Sequence, residues 1–366
     1  MLALARLTAW GGDVDPAHAV GSRRSWALRH GLLLALEDAA GRRGLGEGTP
    51  LPGLSRESVS DARVALAALD WSRLDPREVA DGRGPELTAS LPSSARFAVE
   101  TACVDLVGRA EARPASRVLG GAPASGTIPV NALVGHVDDP ELPKRAAVAV
   151  RRGALVLKVK LGGRDLDAER SALRALRDEV GASIRVRADL GGVLAADTAK
   201  AWLDALAEVG LEAVEEPCGG AALLAIGTGR TPWLADESLA DAELRERLIT
   251  APACAGVVLK PTLLGGMMAC LAIARRAQDN GKTVTITHAF EGPVARAACA
   301  ALALAVRADL AGLDEHAGLE AFPSLPCAAL PAVAPLGVRA TDAPGLGLRV
   351  EEATLDGLPW SELWRR

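Results

Sequence analysis

From Thr127 onward the chain repeats one pattern: a short apolar run, then a longer stretch with apolar residues at helical spacing. The runs at 128–133, 155–160, 184–189, 213–215, 233–236, 256–260 and 283–287 are strand-like, and an eighth falls at 309–313. The stretches between them read as helices. One opens at Asp165, buries Leu166, Leu173, Leu176 and Val180, and stops at Gly181. The next carries Trp202, Leu203, Leu206 and Val209 and ends at Gly210. Others are expected over 142–151 and from Gly266 to Gln278, the latter closed by Asn280 and Gly281. Strands that alternate with helices must pair in parallel, because each helix carries the chain back to the start of the next strand.

The first third of the chain lacks this rhythm. Residues 3–9 and 25–37 read as strands, and a turn at 40–44 leads to a third that ends at 46–48. The stretch from Gly11 to Arg24 between the first two is polar and glycine-bearing. Asp13 and Asp15 lie in it without the downstream acidic partners of a calcium loop, so it reads as solvated. Helices are expected over 59–68 and 93–111. In the second, Phe97, Thr101, Val104 and Gly108 share a face of mostly small residues, and Ser93 or Ser94 suits the cap. Past Phe322 the chain is rich in Pro and Gly and returns to irregular structure. The organisation expected is a small α+β domain over 1–122, a parallel barrel over 123–321, and a segment over 322–366 that packs back on the first domain.

Composition narrows the function classes. Of 366 residues, 49% are hydrophobic and 24% charged, as in an ordinary globular protein. A net charge of −5 gives no electrostatic attraction for nucleic acid or an anionic membrane. No apolar run approaches the ~20 residues that span a bilayer. Residues 1–6 lack a basic segment leading into an apolar core, so a secretory signal is not expected and a cytoplasmic location is. The six cysteines form no Cys-x-x-Cys pair, which argues against zinc and disulfides and for reduced, buried thiols. There is no tyrosine, so no phenol takes part in any chemistry. Whether the chain is a monomer or a homo-oligomer is not legible.

The chemistry lies at the strand ends. Lys160, Asp189, Glu215, Asp236 and Lys260 close five successive strands, 29, 26, 21 and 24 residues apart. A (β/α)8 barrel allots about 30 residues to each unit and places its reactive groups at the strand C-termini. Taken singly, each carboxylate suits a helix cap or an arginine partner. Together on adjacent strands, Asp189, Glu215 and Asp236 would repel one another unless a cation lay between them. An oxygen-only set favours a hard ion, Mg²⁺, with Mn²⁺ able to substitute. Lys158 and Lys160 alternate with apolar residues, so both side chains point the same way. Lys260 closes the sixth strand, across the barrel. With a metal and a second ammonium nearby, such a lysine is expected to have a lowered pKa and to serve as a base. The set suits removal of a proton α to a carboxylate, with positive charge to stabilise the anion.

The order Lys158-Val159-Lys160, Asp189, Glu215-Glu216-Pro217, Asp236-Glu237-Ser238, Leu259-Lys260-Pro261-Thr262 resembles the muconate-lactonising branch of the enolase superfamily, most closely its o-succinylbenzoate synthases. A lysine base beside Mg²⁺ is already the known device of that superfamily. Residues 46–53 resemble its capping segment and 310–314 its late barrel. The resemblance implies an enolase-type (β/α)7β barrel under an N-terminal α+β capping domain. It implies Asp189, Glu215 and Asp236 as Mg²⁺ ligands, Lys160 as base, Lys260 as the opposing cation, and Lys158 as an electrostatic support. Glu216 and Glu237 would stand behind them.

The activity implied is Mg²⁺-dependent dehydration of 2-succinyl-6-hydroxy-2,4-cyclohexadiene-1-carboxylate to o-succinylbenzoate in menaquinone biosynthesis, a lyase acting on a small dicarboxylate. An N-succinylamino acid racemase, or another isomerase of the branch, uses the same parts and stays open. Dipeptide epimerases typically carry Asp-x-Asp after the seventh or eighth strand, and it is missing from Thr287 to Pro293 and from 309–314. Two positions depart from the family pattern. Gly191 stands where an Asn is usual, which predicts weaker metal binding. His288 occupies the turn after the seventh strand, where serines are common, and is a candidate substrate contact alongside Arg23 and Arg24.

Overall fold

A computed structural model of the chain describes residues 1–13, 21, 25–121, 127–313, 327–328, 333–334, 337–350 and 352–366. The apolar runs after Thr127 become eight parallel strands: Asn131–His136, Val156–Lys160, Arg185–Asp189, Ala213–Glu215, Trp233–Ala235, Cys254–Leu259, Thr283–Thr287 and Leu310–Gly312. They pair in chain order, each with the next. Val130 bridges Ala311, whose N–H donates to the Pro129 carbonyl at 2.9 Å, and this closes the eighth strand against the first. The seven connections each carry a helix, giving an enolase-type (β/α)7β barrel.

Alternation along each strand assigns its side chains. Leu157 and Val159 are fully buried in the apolar cluster that holds Leu173 and Leu176 of the following helix, each contributing about 2 kcal/mol by burial. Lys158 and Lys160 take the opposite face. Ala213, Leu234 and Val258 form a separate small cluster, and each stands two residues before an acidic or basic strand end. Asp165 caps the helix Leu166–Val180 through the N–H groups of Asp167 and Ala168, both at 3.0 Å. Gly181 and Gly210 follow their helices at φ +78° and +70°, a region open to glycine without strain.

The N-terminal part is an antiparallel sheet in the order Ser361–Arg365, Leu2–Asp13, Leu28–Asp38, Arg43–Gly48. The helix Ser93–Ala110 lies against it. Gly46 permits this approach: a Cβ there would fall 1.9 Å from the Ala98 carbonyl oxygen. The second strand is buried on both faces, Leu32, Leu34 and Leu36 in the local core and Leu33 and Ala35 in the larger barrel cluster.

Two expectations need correction. The first strand runs through Gly11 and Gly12 to Asp13 rather than ending near Ala9, because Gly11, Gly12 and Asp13 pair with His30, Arg29 and Leu28. Neither Ser93 nor Ser94 caps its helix; Pro92 holds the cap position, and the carboxylate of Glu57 accepts from the Ser94 N–H at 2.8 Å. Among the described residues, five cysteines are free and buried, and no helix is long and apolar enough to cross a membrane.

Candidate active site

Parallel pairing sets Lys160 beside Asp189 and Asp189 beside Glu215, and Glu215 pairs with Leu234, two residues before Asp236. The three carboxylates therefore converge at one end of the barrel, each offering an oxygen within 4.8 Å of the others. Asp189, Glu215 and Asp236 are 0%, 1% and 3% exposed, so water cannot screen their mutual repulsion. Three ammonium groups offset it. Lys158 contacts Asp189 at 2.7 Å and bonds Glu215; Lys160 bonds Asp189 at 2.5 Å; Lys260 bonds Asp236 and lies 3.4 Å from Glu237. The second and sixth strands stand half a barrel apart, so Lys160 and Lys260 flank the carboxylates from opposite sides.

The charges on these groups are interdependent. Burial opposes ionisation of Asp189, but Lys158, Lys160 and Lys260 outweigh it and hold the carboxyl well below the usual range. Asp236 is pushed up to about 7 by burial and by Glu237, which together exceed the help from Lys260 and Lys158. Burial also opposes the charge on Lys158 and Lys260, yet the surrounding carboxylates hold both above the ordinary ammonium range. The fall in lysine pKa expected beside a metal therefore depends on the cation, since the protein's own carboxylates act in the opposite direction. Only a further cation that takes over the carboxylates would lower them.

The donor set fits such a cation: three buried carboxylates on adjacent strands, all hard oxygen ligands. Gly191, at φ +54°, turns its N–H onto Asp189 Oδ1 at 2.9 Å, so the backbone supplies a donor to this carboxylate where the residue has no side chain. Glu216 stands behind the cluster. Its carboxyl accepts from the N–H groups of Asp236 at 2.7 Å and Ser238 at 3.0 Å and from the Ser238 hydroxyl, which fixes the turn that carries Asp236. Burial and the charge of Glu237 push Glu216 up to about 8. Glu237 itself lines the mouth.

A cavity of about 220 Å³, open to solvent, lies over Asp236 and Lys260 and is bounded by Leu54, Arg56 and Glu57 from the segment before the first helix. Sequence reasoning missed Arg56, since nothing in its neighbourhood distinguishes it from a solvated loop arginine. His288 follows the seventh strand, 8% exposed, and its Nδ1 accepts from the Phe290 N–H at 3.0 Å. Burial, with Arg296, Lys158, Lys260 and Arg29, pushes its pKa well below the usual imidazole value, so the ring is neutral. Arg23 and Arg24 lie outside the described residues.

An eight-stranded parallel barrel with buried acidic strand ends, opposed lysines and an N-terminal antiparallel cap is the architecture of the enolase superfamily. Residues 141–354 match the Enolase C-terminal domain-like family, and the chain belongs to it. In sequence it is similar to an o-succinylbenzoate synthase of Thermobifida fusca, 38% identical over 189 residues. That alignment spans 50% of this chain and 58% of that protein. The fold is shared with N-succinyl Arg/Lys racemase from Bacillus cereus (TM-score 0.86, 21% identity, 99% of each chain). It is shared also with a dipeptide epimerase from Enterococcus faecalis, solved with Mg and L-Leu-L-Tyr (TM-score 0.82, 23% identity, 95% of this chain and 99% of that one). These matches carry the superfamily and its muconate-lactonising branch; they are spread over lyases and isomerases alike.

Proposed function

We propose that the chain is an o-succinylbenzoate synthase, a Mg²⁺-dependent lyase that removes water from 2-succinyl-6-hydroxy-2,4-cyclohexadiene-1-carboxylate. The observation that carries the reading is the pair Lys160 and Lys260 set on opposite sides of three buried carboxylates. A divalent cation held by Asp189, Glu215 and Asp236 would supply positive charge to the substrate carboxylate and offset the charge that develops when the α-proton leaves. Mg²⁺ is the ion recorded with the similar dipeptide epimerase.

Lys160 Nζ takes the proton α to the ring carboxylate. The C–H electron pair enters the ring system, the C–OH bond breaks, and the Lys160 ammonium returns its proton to the departing hydroxyl. Water leaves, the ring becomes aromatic, and Lys160 regains its starting state. Lys260 stays protonated and offsets negative charge from the other face. Lys158, bonded to Asp189 and Glu215, holds those carboxylates in register.

A racemase of N-succinylamino acids is the second reading, favoured by the same opposed lysines, which suit removal of a proton from one face and its return to the other. The lyase is preferred because the 38% identical relative is a synthase. The test incubates the protein with Mg²⁺ in D₂O, offering the cyclohexadiene and, separately, N-succinylamino acids. Formation of o-succinylbenzoate supports the synthase. Deuterium exchange confined to the amino acids would replace it with the racemase, and exchange on neither would sink both.

A further inference from the structure

Apart from the carboxylate and lysine cluster, a second group of buried charges joins the N-terminal sheet to the barrel. Arg29, on the second strand of the sheet and 1% exposed, directs its guanidinium at four carbonyls. They belong to Thr49 at 3.1 Å, Pro50 at 2.9 Å, Ala289 at 3.2 Å and Phe290 at 3.0 Å. Glu47, on the third strand and equally buried, accepts from the Gly292 N–H at 2.6 Å and the Ala295 N–H at 3.1 Å. Those two amides open the last barrel helix, Pro293–Val306. The Thr49 hydroxyl holds Glu47 from behind at 2.7 Å. Glu47 thus ends the turn after the seventh strand, and Arg29 grips its middle.

The turn between them is strained. Phe290 stands at φ +56°, a left-handed conformation that a bulky residue keeps only where its surroundings fix it. Three contacts do so: its carbonyl on Arg29, its ring against Trp26 at 5.4 Å, and its N–H on His288 Nδ1. That last bond has a chemical consequence. An Nδ1 that accepts carries no proton, so the proton of the neutral ring sits on Nε2. No described acceptor bonds Nε2, and His288 directly follows the C-terminal end of the strand Thr283–Thr287, the end of the barrel at which the carboxylates meet.

We propose that Glu47 and Arg29 are positioning residues: from the N-terminal sheet they clasp the strained 288–292 turn and so present His288 as a neutral Nε2–H donor to an oxygen acceptor of the substrate. The chemistry recognised is a carbonyl or carboxylate oxygen remote from the reacting carbon. Its identification with the succinyl group rests on the function proposed above; the clasp and the tautomer do not. A direct consequence is that the two parts of the chain are coupled at the site, since loosening the sheet's grip misplaces a substrate contact without touching the carboxylates.

The experiment uses the full chain with Mg²⁺ and ¹⁵N-labelled histidine, and compares the native protein with Glu47→Gln, Arg29→Lys, His288→Gln and the Glu47→Gln/His288→Gln pair. His288→Gln assigns the His288 signals by their loss. The native ring is expected to show two distinct nitrogen shifts, one protonated and one bare. Glu47→Gln and Arg29→Lys, folded by circular dichroism, are expected to average them and to raise KM about tenfold, with Mg²⁺ affinity unchanged. The double variant is expected to be no worse than His288→Gln alone. Separate nitrogen shifts retained in both clasp variants, or losses that multiply in the double variant, would overturn the proposal. Should Glu47→Gln fail to fold, Thr49→Val removes one donor to Glu47 and carries the same readouts. If no offered acid is turned over, the nitrogen spectra still decide the clasp, and only the reading of the substrate falls.

Discussion

Lys160 is the residue whose loss the proposed chemistry cannot tolerate. Replacing it with Ala removes the group placed to take the α-proton, and turnover is expected to fall by about 10³-fold or more, as loss of a positioned base commonly costs 10²- to 10⁴-fold. The measurement is deuterium exchange at the α-carbon beside product formation; exchange at a near-native rate would assign the base elsewhere. Glu291 poses a different question. Burial, with the neighbouring charge of Glu47, pushes its carboxyl up to about 7 from the ordinary 4.5. Between those values the folded protein holds a proton that the unfolded chain has released, so protonation favours folding. That stabilisation is complete below about 4.5 and is lost as pH rises through about 7. Glu291→Gln is neutral throughout, so its melting temperature should gain on the native protein as pH is raised from about 5 to about 8. A gap that moves the other way would show Glu291 ionised and paired with Arg29.

At the scale of elements, local signals and close packing differ in cost. Asp165→Ala removes a side chain that satisfies two helix N–H groups, and about 1 kcal/mol of stability should go with it. Gly46→Ala introduces a methyl 1.9 Å from the Ala98 carbonyl and 3.0 Å from the Ala102 nitrogen, both backbone atoms of the helix, so sheet and helix must separate. The expected loss is about 1–3 kcal/mol, larger than for the cap. Urea unfolding of both variants checks the order, and a harmless Gly46→Ala would mean that the helix has room to move. The two sites also differ in legibility. Asp165 is readable from its neighbours alone, because capping is settled within four residues. Gly46 is not, because its constraint comes from a helix about fifty residues away. Pro92 and Glu57 make the same point: two serines suited the cap, and a carboxylate from another segment took the amide instead.

For the whole molecule, the site exists only when the barrel is closed, so an ion bound by three of its strands must stabilise the fold. At a Mg²⁺ concentration a hundredfold above Kd the gain is about 2.7 kcal/mol, seen as a higher melting temperature. Glu215→Gln, folded by circular dichroism, should lose most of that shift. An equal shift in both proteins would remove Glu215 from the ligand set.

The periodicity of apolar residues determined the strands and helices of the barrel, and the charges at the strand ends named the groups that meet in the site. Both are local or repeating properties: a strand's alternation fixes which way Lys158 and Lys160 point whatever lies opposite. What the tertiary structure alone decided is the balance of charge and the company each group keeps. It surrounded Lys158 and Lys260 with carboxylates that, by themselves, hold both above the ammonium range. It also joined Arg29 and Glu47 to a turn more than two hundred residues away. Burial and long-range contact set those energies, and neither is a property of the residue or its neighbours in the chain.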